Sequence, residues 1–335
     1  MSEATNQRKS ETSPKVSIGM PVYNGEKLIR EALDSLLAQT FTDFELIISD
    51  NASTDSTEAI CRKYVKEDLR IRYVRQPENR GAEFNFQFVL NEAKGEYFKW
   101  MAYDDYLAAR FIELIVGYLD RNHDVVSCIS DVEVNGSNLG NDVVINRIDI
   151  LREDRDWTET IGKIILSLSP YFSTNYAFYA IYGIHRRVLL KEIYDEMGFI
   201  TRVISDEYPL LTNLAFRGRI VAIEPALWTY RRHADAQCEI NRKYRSRMNL
   251  FFRHNVLNEM YKISVIVRSG LSLKSKLLLI THIVARQPIV VLIELRLLLR
   301  RIARSALIFL CGEQKAREFK RGFAGWVKRS FGKKV

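Results

Sequence analysis

Asp104 and Asp105 stand side by side, directly after a short aromatic and apolar run at residues 97–101. Adjacent carboxylates repel, so a nearby cation is the usual reason to hold two of them on rigid backbone. Asp also favours turns, and the pair taken alone reads more simply as a solvated turn. A third carboxylate, Asp50, ends the apolar run 44–49, and Asp206 and Glu207 lead into a helical pattern that stops at Gly218. An acidic pair at a helix start either caps the helix and meets its dipole, or takes protons as a general base. Arg231, Arg232 and His233 form a cationic cluster. Arginine's planar fork suits phosphate, and histidine donates to phosphate or ligates metal.

These residues need elements to position them. Residues 16–20 read as strand one, ended by Pro21-Val22-Tyr23-Asn24-Gly25. Asn24 can cap the next helix, expected over 26–39. Strand two is 44–49, and the polar turn 50–57 leads into a helix ending near Asp68. Strand three is 71–75, Asn79-Arg80-Gly81 is a turn, and 83–93 is helical. The strand carrying the aspartate pair follows. Beyond it come an amphipathic helix over 108–121, a buried strand over 125–130, and a hairpin or irregular loop over 131–150. The alternation of residues 176–184 reads as a strand, 188–197 as a helix and 219–223 as a strand. Strands alternating with helices imply an α/β chain with a mostly parallel, doubly wound sheet flanked by helices. Turns that follow parallel strands lie on one sheet edge, so Asp50, Asp104 and Asp105 converge there although far apart in sequence.

The chain has 335 residues, 47% hydrophobic and 27% charged, an ordinary globular composition. Cys61, Cys128, Cys238 and Cys311 are far apart, which points to no zinc site or disulfide framework and fits a reducing compartment. Residues 1–14 are polar without an apolar core, so they read as a flexible tail and not a signal peptide. The net charge of +9 is unevenly placed: residues 271–335 hold fifteen Lys/Arg against three acids, and the rest is slightly acidic. Residues 164–184 are uncharged but contain Pro170, Asn175 and four tyrosines, which argues against a membrane span. That stretch is expected to line a pocket, with Tyr171, Tyr176 and Tyr179 stacking on a ligand or packing on the sheet.

Pro21-Val22-Tyr23-Asn24, Ser49-Asp50-Asn51-Ala52-Ser53-Thr54-Asp55, Asn79-Arg80-Gly81, Ala93-Lys94-Gly95-Glu96-Tyr97 and Tyr103-Asp104-Asp105 together resemble the family 2 glycosyltransferases of GT-A fold. The resemblance covers roughly residues 15–240. It implies an inverting transferase that takes sugar from a nucleotide donor, UDP-linked by expectation, with a divalent cation, Mn²⁺ or Mg²⁺. It places Pro21, Tyr23, Asn24, Asp50, Asn79 and Gly81 around the donor nucleotide, with Asp50 accepting the ring N–H of a uracil. Asp105 is the first choice for the metal, and Asp104 serves the ribose or the metal. The catalytic base is Asp206 or Glu207. Asp206 is favoured because a shorter side chain at a helix start is more rigidly placed. Arg231 and Arg232 approach the diphosphate, and His233 serves the phosphate or the metal. The pattern also carries an acid two positions before Asp104, where Ala102 stands, so weaker metal binding or shifted ligands are expected.

The region 241–335 reads as a helical, basic extension. Phe319, Phe323, Trp326, Val327 and Phe331 recur at helical spacing with Lys and Arg between them, as in a helix lying on a membrane surface. Packing on the catalytic domain or in a homodimer also fits, whereas no nucleic-acid module accompanies the charge. The expected protein is cytoplasmic, peripheral at the inner membrane face, with a glycan or lipid-linked saccharide as acceptor. Two alternatives stay open: a catalytically silent binding protein on the same fold, and a nucleotidyltransferase. The latter lacks its expected Gly-rich loop after strand one.

Overall fold

The computed structural model describes residues 13–136, 144–152, 177–197, 207–232, 263–269, 273–277, 279–281 and 284. The chain divides into two compact units, Met1–Lys276 and Leu277–Val335, and every element below belongs to the first. The order is β1 (Val16–Val22), α1 (Ile29–Leu37), β2 (Phe44–Asp50), α2 (Thr57–Glu67), β3 (Ile71–Arg75), α3 (Ala82–Asn91), β4 (Tyr97–Trp100), β5 (Tyr106–Leu107), α4 (Phe111–Arg121), β6 (Val125–Gly136), β7 (Val144–Asn146), a 3-10 helix (Ala177–Tyr182), β8 (Ile184–Arg186), α5 (Arg187–Met197), α6 (Glu207–Arg217) and β9 (Arg219–Arg232).

The strands form one nine-stranded sheet in the order β3-β2-β1-β4-β8-β6-β9-β5, with β7 paired to β6. β1 through β4 are parallel, and β1 and β2 are buried along almost their whole length, which is why they read as near-continuous apolar runs. The α/β class stands, but the sheet is mixed. β8 joins β4 and β6 antiparallel, β6 and β9 run parallel, β5 pairs antiparallel with β9, and β7 pairs antiparallel with β6. The region after β6 does return as a hairpin strand, with Val132 opposite Asn146.

Register aligns the strand ends that matter. Val22 lies opposite Asp50, and Asp50 opposite Arg75, so β1, β2 and β3 finish in one row. β4 stops at Trp100 beside Gly19, and the Met101 amide donates to the Gly19 carbonyl. β9 continues past its expected end at Ile223 to Arg232, which brings Trp228 opposite Leu107 and Thr229 opposite Tyr106.

Three local expectations are corrected. Helix α1 starts at Ile29 and not Glu26, because Glu26 is engaged in the loop: its amide donates to Asp55 and its carboxylate accepts the Ser56 amide. Asn24 does not cap α1, whose N-cap is Leu28; Asn24 sits at φ 52° and its Oδ1 accepts the Thr54 amide. Residues 177–182 form the 3-10 helix rather than a strand, and pairing begins only at Ile184.

Candidate donor and transfer site

The loops after β1, β2 and β3 are laced together by side chains. The Asn24 amide donates to Ser53 Oγ at 2.9 Å, and the Gly25 amide to Thr57 Oγ1 at 2.8 Å. Asn51 Nδ2 donates to Asn79 Oδ1 and the Gly81 carbonyl, at 2.9 and 3.1 Å, and Asn51 Oδ1 accepts the Arg80 amide at 2.9 Å. Beneath them, Asn85 on α3 donates to the Ser49 carbonyl at 2.7 Å. These bonds run from the buried Asn51, Ser53, Thr57 and Asn85 out to the exposed Asn24, Asn79, Arg80 and Gly81, which fixes the loops.

Asp50 is the floor of this cluster. It is fully buried; Oδ1 accepts the Ser53 amide at 2.8 Å and Oδ2 accepts the Tyr73 hydroxyl at 2.6 Å. Pro21 is buried, Tyr23 is 42% exposed at the rim, and Asn24, Asn79, Arg80 and Gly81 are exposed around it. Ala52 takes φ 59°, a left-handed conformation that costs a residue with a Cβ roughly 1–2 kcal/mol. Glycine there loses more chain entropy on folding, about 0.5–1 kcal/mol. Ala52→Gly is therefore expected to stabilise the protein by about 0.5 kcal/mol, read as a higher urea midpoint with unchanged slope.

The structure separates the two carboxylates of the pair. Asp104 is half-buried. Asp105 is 1% exposed, and both its oxygens accept N–H groups from β9: Oδ1 from the Arg231 amide at 2.9 Å, Oδ2 from the Trp228 indole at 3.1 Å. Burial pushes the Asp105 carboxyl well above the usual range and the neighbouring Asp104 adds to this, while the two N–H donors and Lys99 oppose it. The loop between β4 and β5 also leans on the first loop. A Cβ on Gly25 would lie 2.8 Å from the Tyr103 ring, so only glycine lets Tyr103 pack there.

Arg231 is near the pair, but its guanidinium donates to Glu31 on α1 at 2.7 Å and lies over the Tyr106 ring. Arg232 ends β9 and Glu207 begins α6, with the side chains of both outside the described set. Asp206, His233, Tyr171 and Tyr176 lie outside the described residues. Tyr179 is buried against the rings of Trp228 and Tyr230, so it packs in the interior and does not present a face for stacking on sugar. Among the described residues no group of three His, Cys, Asp or Glu is placed to hold a metal.

Two residues with no role in the sequence reading emerge. Lys99 is completely buried in β4; its ammonium donates to the Tyr182 carbonyl and faces the rings of Phe111 and Trp228. A lone lysine within an apolar run was the only signal. His185 is also fully buried on β8; the Ile181 carbonyl accepts from Nε2, and Nδ1 has no partner among the described residues. Burial is the main cause that drives its pKa down to about 4 from an ordinary 6.5. The unfolded chain therefore takes up this proton as pH falls through 6.5, and the folded chain only near 4. Stability is lost across that window, by about 3 kcal/mol for this group. His185→Gln, which keeps a donor for Ile181, is expected to remove that part of the acid loss, measured by urea unfolding at pH 7 and pH 4.

About half of the chain, residues 17–187, matches the family model described as Glycosyl transferase family 2. An uncharacterised glycosyltransferase of Rickettsia typhi is 40% identical over 116 residues, 34% of this chain and 35% of that protein, so the chain spans about a third of that relative's length. The glycosyltransferase GlyG of Streptococcus pneumoniae is 26% identical over 231 residues, 65% of this chain and 71% of GlyG. Among solved structures, S. aureus TarS 1–349 superposes with a TM-score of 0.59 at 24% identity, covering 81% of this chain and 71% of that one. The mannosyltransferase PcManGT from Pyrobaculum calidifontis, in complex with GDP-Man and Mn²⁺, superposes at 0.54 with 20% identity, covering 95% and 81%. These likenesses are ones of fold, the GT-A fold.

Proposed function

This chain belongs to glycosyl transferase family 2, and from that premise we propose that it moves a sugar, with inversion, from a UDP-linked donor to a glycan or lipid-linked saccharide. The observation that carries the reading is the convergence on one sheet edge of the Asp50 cluster and the Asp104–Asp105 turn. TarS has been crystallised with UDP and with UDP-GlcNAc, which supports a uridine donor, and PcManGT with GDP-Man, which makes a guanosine donor the control.

In this reading the base rests against exposed Tyr23 over Pro21. The rim is Asn24, Asn79 and Gly81, and a uracil N–H points to Asp50, whose oxygens each hold a single donor and keep further lone pairs. Asp104 takes the metal-facing role first given to Asp105, because both Asp105 oxygens are already committed to β9. Two adjacent carboxylates make a poor closed cage but suit Mg²⁺ or Mn²⁺, which keep waters and complete their shell with phosphate oxygens. His233 is a further ligand choice. When bound, the ion supplies charge neutralisation to the diphosphate leaving group. Arg232 does the same from the protein side, and Arg231 joins it only by leaving Glu31.

Asp206 or Glu207 accepts the proton of the acceptor hydroxyl as that oxygen bonds to the anomeric carbon. The bond to the diphosphate oxygen breaks on the opposite face, which inverts the centre. Residues 15–240 carry this chemistry. The basic region 241–335 holds the protein at the cytoplasmic membrane face or pairs it with a second copy. No helix among the described residues is long and apolar enough to cross a membrane. The test is UDP release from a panel of UDP-sugars with Mn²⁺. Release from at least one supports the transferase; binding without release from any sugar, with or without saccharide acceptors, favours the silent binding protein that Ala102 keeps in view.

A further inference from the structure

We propose that Lys99 is a positioning residue for the aspartate pair, acting through Trp228 and Asp105, and this rests on the donor site described above. One indole connects the two buried ionisable groups. The Lys99 ammonium lies 5.8 Å from the Trp228 ring centroid, and the indole N–H of the same Trp228 donates to Asp105 Oδ2 at 3.1 Å. Both end groups are closed off from solvent. The ammonium is also tied to the Tyr182 carbonyl, and the Tyr182 ring packs against Trp228, tilted by 39° with centroids 5.2 Å apart. Lys99 thus joins three parts of the chain: the strand leading into the pair, the end of the 3-10 helix, and the strand whose N–H groups hold Asp105.

In a buried site an ammonium and a carboxyl each lower the cost of the other's charge. Burial holds the Lys99 ammonium down to about 7 from an ordinary 10.5, and Asp105 is the group that opposes this. Asp104 is the next residue, so any shift of Asp105 moves it. Residues that orient a metal ligand typically cost about 10–100-fold in metal affinity when removed.

The test is a double-mutant cycle of Lys99→Met and Asp105→Asn on the full chain, read twice. In EDTA without nucleotide, Lys99→Met is expected to lower the Tm by about 5 °C in the wild-type background, because it removes the cation that opposes the cost of the Asp105 carboxylate. In the Asp105→Asn background the same substitution should raise the Tm, because it removes a stranded ammonium. In the second readout, Lys99→Met should weaken Mn²⁺-dependent UDP binding by about tenfold or more while leaving UDP binding in EDTA unchanged. Equal Tm losses in both backgrounds, or an unaltered Mn²⁺ dependence, would overturn the proposal. If Lys99→Met does not fold, Trp228→Phe keeps an aromatic ring and removes the indole N–H. It should weaken Mn²⁺-dependent UDP binding by about tenfold, and no change would count against the strut. A wild-type protein that binds no UDP would sink the donor site instead, and the sign of the Tm effect would still decide the coupling of Lys99 to Asp105.

Discussion

Asp104→Ala is expected to cut Mn²⁺-dependent UDP affinity by about 100-fold or more and to leave the folded state intact, since Asp104 is half-buried and lies in the turn between β4 and β5. Asp105→Ala should behave in the opposite way. It removes the acceptor for the Trp228 indole and the Arg231 amide, and it leaves Lys99 buried without its carboxylate. Leaving a buried N–H donor without its acceptor costs about 1–3 kcal/mol, and two are lost here, so the main effect is on the unfolding midpoint. Calorimetric UDP titration beside thermal unfolding separates the two residues. An Asp105→Ala protein of wild-type stability that no longer binds the metal–UDP complex would return the metal role to Asp105.

The second large effect concerns the catalytic base. Asp206→Asn is expected to lower the transfer rate by roughly 10²–10⁴-fold with UDP affinity unchanged, because a general base acts in the transition state and not in donor binding. Glu207→Gln, at the first residue of α6, should lose less than about tenfold, a share in keeping with a favourable acid in the first helical turn. The pH profile identifies the base independently. The variant lacking it loses the acid-side limb, which reports protonation of that carboxylate. A large loss at Glu207 with a modest one at Asp206 would reverse the assignment.

Much of the donor edge was legible because parallel strands buried on both faces leave strong apolar runs. β1 and β2 are almost wholly buried, and the polar stretches that end them are where the loops lie. That periodicity could also place Asp50 and the Asp104–Asp105 turn on one edge without any contact being known. It could not separate Asp104 from Asp105. The difference is made by Trp228 and Arg231, more than 120 residues away and delivered by a strand longer than its apolar run. The start of α1 was misplaced for a related reason. Asn24 and Glu26 look like capping residues, but the loop after β2 offers Ser53, Thr54, Asp55 and Ser56 as partners, and those bonds take them instead. Arg231 reads in the sequence only as a cation suited to phosphate, and its bond to Glu31 was not legible, because exposed acids on α1 carry no mark of what they face. Ala52 could have raised a question, since a polar turn entering a helix often needs a left-handed residue and alanine gives no sign of being one.

The most direct measurement is calorimetric titration of UDP into the protein with Mn²⁺, with EDTA, and with Asp104→Ala in Mn²⁺. The proposed function predicts clear binding in Mn²⁺ that falls by about 100-fold or more in both other conditions. Equal binding in all three would contradict the metal-assisted donor site and leave the diphosphate to Arg232 and a released Arg231.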